Sequence, residues 1–253
     1  MPLLEVHGLT KRFAGLTALD GVSFSLEKRE ILGLFGPNGA GKTTCFQCLS
    51  GFVPPDAGRI LFDGRDITGY ASHRLAQLGI GRTFQVVKPF RNLTAAENVM
   101  VALGHRYYQG SGAVFRGWRG SRTRARALGL LERVGLAGVA DRRAGLLPLG
   151  MLKRMEVARA LALEPRLILF DEPFGGLSHE ETRPIAELIA GLRAQDLTII
   201  LVEHNMRVAM ALVDRVVVLD HGVPIASGAP EQVRRDPKVV EAYLGEDAVA
   251  QGH

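Results

Sequence analysis

A chain of 253 residues, 47 % hydrophobic and 23 % charged, is long enough for one large domain or a core with an insert, and this composition excludes a disordered chain. The formal charge of +5 and pI of about 9.5 leave open nucleic acid or an anionic membrane surface as a partner, beside plain solubility. No apolar run approaches the ~20 residues that span a bilayer, and MPLLEVHGLTKRF holds no signal-peptide core, so a soluble cytosolic chain is expected unless a partner holds it at a membrane.

Leu3 to Leu9 reads as a first strand, with Leu4 and Val6 on one face. Thr10 to Gly15, carrying Lys11, Arg12 and Phe13, reads as a loop. Leu16 to Leu26 reads as a second strand stretch with a turn at Asp20-Gly21. The apolar run Ile31 to Phe35 suits a buried parallel strand. It delivers GPNGAGKTT, Gly36 to Thr44, which fits G-x-x-x-x-G-K-[ST] with Gly36, Gly41, Lys42 and Thr43 in the fixed places. Glycines let such a backbone fold into a concave nest of N–H groups. The whole stretch of Gly36, Pro37, Asn38, Gly39, Ala40, Gly41, Lys42, Thr43 and Thr44 is therefore expected to bind phosphate. The following helix adds its positive end, Lys42 reaches outer phosphates, and the Thr43 hydroxyl suits a magnesium ion.

Thr44 to Gly51 reads as that helix. Its Cys45 and Cys48 form C-x-x-C with no second pair for a metal, and i, i+3 spacing puts both on one helix face as small core hydrophobes. Phe52 to Gly64 reads as a Pro-Pro turn and a strand over Arg59 to Phe62. Ile80 to Gln85 is a further short strand entering a loop. From Val86 to Leu161 the pattern turns helical. Thr94 and Glu97 form a capping box, Gly110 to Gly120 is a glycine-rich break that holds Phe115 and Trp118, and Ser121 to Val134 is an Arg-rich amphipathic helix. That Arg stripe is either a binding face or a solvated one. Strand–helix alternation then returns: strands over Leu167–Phe170, Leu197–Val202, Val216–Leu219 and Pro224–Ser227, helices over Ile185–Leu192, Met206–Val213, Pro230–Asp236 and Lys238–Leu244. This predicts an α/β fold with a parallel, helix-flanked sheet.

The second chemical signal is Leu167 to Glu172, LILFDE. Ligands of α/β sheets bind at the C-terminal ends of strands, where Asp171 and Glu172 fall. Asp171 suits magnesium, and Glu172 suits a general base or water positioner for attack on a terminal phosphate.

Phosphate loop, Gln85 after a short strand, a helical insert, a short motif before RMEVARAL, LILFDEP, and His204 after TIILVE: this order resembles the ATPase subunits of ABC transporters, over essentially the whole chain. The resemblance implies a P-loop (RecA-like) core of parallel sheet with N-terminal antiparallel strands, in one domain (1–253), and a helical subdomain (86–161) inserted in it. It implies ATP and Mg2+ as cofactors, with metal contacts from Thr43, Gln85 and Asp171. By position, Phe13 looks like the aromatic stacked on adenine, Gln85 like the link between metal, water and membrane partner, and His204 like the γ-phosphate contact. Glu172, His204, Gln85 and Lys42 would be catalytic. Where the family usually reads LSGGQ, Leu147 to Met151 reads LPLGM. Gly150 is kept, but Pro148 replaces a serine and Ser178 stands where an acid or Asn is common.

In the family this stretch faces the nucleotide of the opposite subunit. The expected partners are thus a second ATPase subunit, in a homo- or heterodimer, transmembrane permease subunits, and indirectly a substrate-binding protein, with no nucleic acid. The expected place is cytoplasmic, peripheral on the inner face of the membrane. GRTFQVVKPFRNLTAAENVMVAL, the Arg-rich stretch and EAYLGE resemble the branched-chain amino acid importer group; the lipopolysaccharide export ATPase is a near relative. Readings kept beside these are a soluble ABC ATPase acting on DNA or the ribosome, and a regulatory subunit with a decayed signature.

Overall fold

Alternating apolar side chains along four strands decide the architecture. In a strand, successive side chains leave opposite faces. Ile31, Phe35, Ile168, Phe170, Ile199, Leu201, Val216 and Val218 go to one core. Their alternates Leu32, Leu34, Leu167, Leu169, Ile200, Val202, Val217 and Leu219 go to a second. Strands buried on both faces belong in the middle of a layered α/β domain. A computed structural model describes residues 1–104, 120–203 and 206–250 of this chain.

The central sheet runs β10(Val223–Gly228)-β9(Arg215–Asp220)-β3(Ile31–Phe35)-β8(Thr198–Val202)-β7(Leu167–Asp171)-β6(Ile80–Arg82). All its pairings are parallel except the β9–β10 hairpin at the edge. A second, antiparallel sheet has the order β2(Leu16–Leu26)-β1(Leu4–Phe13)-β4(Ala57–Phe62)-β5(Arg65–Asp66). Helix α1(Lys42–Leu49) lies between the sheets, with Cys45, Phe46, Cys48 and Leu49 in the second core. Both cysteines are free, buried thiols. Burial pushes the Cys48 thiol up to about 11 and Cys45 further, so neither is a reactive thiolate at neutral pH.

On the far face, α3(Ala95–Leu103), α4(Ser121–Arg133) and α5(Leu149–Leu161) pack together. Thr94 starts α3 with the expected capping box. The arginines of α4 are largely engaged: Arg124 with Asp141 at 2.7 Å, Arg126 with Glu164 at 2.7 Å, and Arg133 with Gln195. The chain continues with α6(His179–Ala194), α7(Met206–Met210), α8(Pro230–Val233) and α9(Pro237–Ala250); a short α2(Ser72–Gln77), unforeseen in the sequence, precedes β6.

Two expectations for the first strands need correction. Thr10 to Phe13 is strand, not loop: β1 continues until Ala14-Gly15 turn it, both at positive φ. The cause is distant in sequence. Asp56 takes the Lys11 ammonium at 2.8 Å and the Arg12 backbone N–H at 2.6 Å, which lets charged residues extend the strand. Asp20-Gly21 is a bulge rather than a turn. Gly21 sits at φ 68 and gives its N–H to Thr10 Oγ1. The bulge releases the Asp20 N–H to the Gly222 carbonyl, 2.9 Å away. Other boundaries shift modestly: β6 stops at Arg82 rather than Gln85, α1 begins at Lys42, and α5 at Leu149.

Candidate ATP site

The phosphate loop follows β3 because β3 must end where the chain crosses over the sheet edge. Gly36 is at φ 144, Gly39 at φ 76 and Gly41 at φ 96. Two of these glycines are also sterically required. A Cβ at Gly36 would lie 2.1 Å from the Leu219 carbonyl oxygen, and one at Gly41 2.5 Å from that of Ala18. The loop is thus wedged between β2 and β9, with Gly222 N–H on the Ala40 carbonyl at 3.1 Å. Lys42 is buried and arches back, its Nζ on the Gly36 and Pro37 carbonyls at 2.5 and 2.6 Å. Asn38 and Gly39 are exposed on the rim, as is Thr43 in the first turn of α1. Gly41 caps that helix without a side chain, leaving its first N–H groups to a ligand. From outside, the Tyr243 hydroxyl on α9 accepts the Gly36 N–H at 2.9 Å.

The sheet order places the remaining groups. β8 separates β3 from β7, and β6 pairs with β7, so the loop, Glu203 and the Asp171–Glu172 and Gln85 positions line one edge, at the C-terminal ends of the parallel strands. Glu172 is a non-glycine residue at φ 48, held by its N–H on the Val202 carbonyl at 2.9 Å. Gln85 Nε2 donates to its Oε2 at 2.6 Å. The two residues assigned to water and metal therefore touch. His204 lies outside the described residues. Its neighbour Glu203 is buried and accepts the Phe174 N–H at 2.7 Å.

Asp171 is buried and paired with Arg82, Nη2 to Oδ2 at 2.9 Å. The sequence reading missed this arginine. Its guanidinium lies 4.8 Å from the ring centres of Phe46 and Phe52 and 5.2 Å from that of Phe84, and also donates to Ser50 Oγ at 2.6 Å. Its buried Nε has no hydrogen-bond partner among the described residues. Arg82→Met is expected to lower stability by about 3 kcal/mol through loss of a buried ion partner. By differential scanning fluorimetry this reads as a Tm roughly 10 °C lower.

Other predicted positions sit apart from the loop. Phe13 is half-exposed at the β1–β2 hairpin tip, with Lys11 Nζ 5.3 Å over its ring. Gly150 is buried in the first turn of α5, its nearest neighbour the Glu181 side chain of α6. Pro148 caps α5 with no side-chain bond. Ser178, unusual by sequence, has a local reason: it starts α6 in a capping box with Glu181. Two buried charges were also missed. Lys153 Nζ donates to the Glu172 carbonyl at 2.8 Å, and burial lowers its ammonium from the ordinary value against the opposing pull of Glu203, Glu156 and Glu172. Glu156 lines a small pocket with Phe84 and Asp171, and burial pushes its carboxyl up to about 7 against the opposing pull of the Phe84 backbone and of Arg159 and Lys153. Neither charge has a local sequence signal beyond its helical phase with Leu149.

Magnesium fits the donor set. The Thr43 hydroxyl and the Asp171 carboxylate are hard oxygen donors of the kind magnesium takes beside nucleotide phosphates.

Comparison with known proteins agrees with this fold. Residues 19–175 match the family model of the ABC transporter, and residues 223–249 that of the branched-chain amino acid ATP-binding cassette transporter. The high-affinity branched-chain amino acid transport ATP-binding protein BraF of Pseudomonas aeruginosa is 44 % identical over 252 residues, covering 97 % of this chain and 98 % of that protein. The crystal structure of the ADP conformation of an ATP-binding cassette of an ABC transporter superposes with a TM-score of 0.87 at 33 % identity, covering 97 % of this chain and 99 % of that one. A dimeric bacterial ABC transporter cassette superposes with a TM-score of 0.77 at 27 % identity, covering 90 % of this chain and 98 % of that one.

Proposed function

Because this chain belongs to the ATP-binding subunits of ABC transporters, we propose that it hydrolyses ATP at the Gly36–Thr44 edge of its sheet to drive uptake of branched-chain amino acids. The observation that carries the catalytic part is the convergence there of a loop with no room for a Cβ at Gly36 or Gly41 and the Gln85–Glu172 hydrogen bond. The match of residues 223–249 supports the substrate class.

The loop N–H groups and the Lys42 ammonium bind and neutralise the phosphates. Glu172 takes a proton from the attacking water, Gln85 holds that water in line, and His204 contacts the terminal phosphate. Thr43, Asp171 and Gln85 would hold a magnesium ion, which would supply further charge neutralisation. ADP and phosphate then leave. Phe13 stacks on the base.

Gly150 and its neighbours complete the site of a second ATPase subunit. With Pro148 in place of a hydroxyl residue, that site lacks one hydrogen bond, worth about 1.5–3 kcal/mol. Two unequal sites in a heterodimer follow. Phe84, Val86 and Phe90 are exposed around Gln85 and offer the apolar surface for a permease helix. Among the described residues no helix is long and apolar enough to cross a membrane; the permease subunits place the chain at the inner membrane face.

Reconstitution of the chain with its permeases in liposomes tests this. ATP-dependent accumulation of labelled leucine is expected, and transport of a lipopolysaccharide instead, or none of any amino acid, would overturn it.

A further inference from the structure

The catalytic pair is held from behind by one helix. Glu172 keeps its left-handed backbone through two donors on its carbonyl: the Gly175 N–H at 3.1 Å, which closes a tight turn, and the buried Lys153 Nζ at 2.8 Å. On the far side of the turn, Glu203 takes the Phe174 N–H. One helical step beyond Lys153, Glu156 lines the same small pocket as Phe84, the residue before Gln85. Lys153 and Glu156, at i and i+3, share a face of α5. Lys153 therefore fixes the backbone of one partner of the Gln85–Glu172 hydrogen bond, while Glu156 lies near the residue that precedes the other.

From this juxtaposition we infer that Lys153 is a positioning residue for Glu172, setting from α5 where the carboxylate stands. The inference rests on Glu172 being the residue that acts on the water. Lys153 itself touches a backbone carbonyl rather than substrate, and a lone ammonium on a flexible stem suits a carbonyl flanked by acids. Its loss lets the 172–175 turn relax, and a misplacement of about 1 Å at a reacting group costs on the order of 100-fold.

The test is a double-mutant cycle on the purified full-length chain, with Mg-ATPase turnover and ATP affinity measured for wild type, Lys153→Met, Glu172→Gln and the pair. For Lys153→Met, kcat is expected to fall about 10- to 100-fold while KM for ATP stays within about twofold. In the Glu172→Gln background the same change is expected to alter the residual rate less than about twofold, because the group it positions is already gone. Lys153→Arg keeps a cation among Glu156, Glu172 and Glu203 and serves if the methionine variant does not fold. It is expected to lose about fivefold in kcat, and to be equally silent in the Glu172→Gln background. An unchanged kcat, or equal losses in both backgrounds, would overturn the inference and make Lys153 an ordinary packing residue. If Glu172→Gln alone keeps the wild-type rate, it is the assignment of Glu172 that fails.

Discussion

Glu172→Gln should reduce steady-state ATPase activity about a thousandfold while leaving ATP affinity within a few-fold of wild type. The introduced amide has the same size and keeps a hydrogen bond with Gln85, whose Nε2 lies 2.6 Å from a Glu172 oxygen. What is lost is a basic oxygen. General-base assistance is worth roughly 10²–10⁴-fold. Binding survives because it belongs to the loop and Lys42, on the other side of β8. A filter-binding or fluorescent-nucleotide titration beside a phosphate-release assay separates the two quantities. Loss of both would mean that Glu172 supports the fold of the site instead.

Gly36→Ala should remove ATP binding altogether. Alanine at φ 144 is in a region closed to L side chains, and its Cβ would stand 2.1 Å from the Leu219 carbonyl. That carbonyl lies in β9, paired with β10, and cannot move away without breaking the hairpin. The loop must move instead, which also breaks the Gly36 N–H bond to Tyr243. Backbone strain and overpacking together cost about 2–4 kcal/mol. The folded chain will therefore melt several degrees lower and show no saturable ATP binding by calorimetry. Gly39→Ala makes a useful contrast: its φ of 76 carries strain, but no atom lies within 4 Å of the added methyl, so it should bind ATP with reduced affinity. Equal behaviour of the two variants would contradict the steric account.

The parts of the site legible in the sequence were those encoded by short-range chemistry. GPNGAGKTT declares itself because only glycine tolerates its backbone, and LILFDE because an apolar run followed by two acids marks the end of a buried strand. Thr94 and Glu97 cap α3 by a rule three residues long. What stayed hidden depends on residues far apart in the chain. Lys11 and Arg12 look like loop residues until Asp56, about 45 positions on, satisfies them. Arg82 is a single charge in a short strand, and its cage of three phenylalanines and its bond to Asp171, 89 positions away, arise only from the β6–β7 pairing. Lys153 and Glu156 look like surface charges on a helix, yet both are buried, Lys153 on the Glu172 carbonyl. Pro148 was visible as an anomaly, and in the fold it starts α5 without a side-chain cap.

The claim on which everything else rests is that these separated residues surround one nucleotide. A crystal of the Glu172→Gln chain grown with ATP and Mn2+, which scatters anomalously and replaces Mg2+, measures this directly. The account predicts phosphates inside the Gly36–Thr44 loop, with the anomalous peak beside the Thr43 hydroxyl and facing Asp171 and Gln85. A peak elsewhere, or phosphates lying outside that loop, would contradict it.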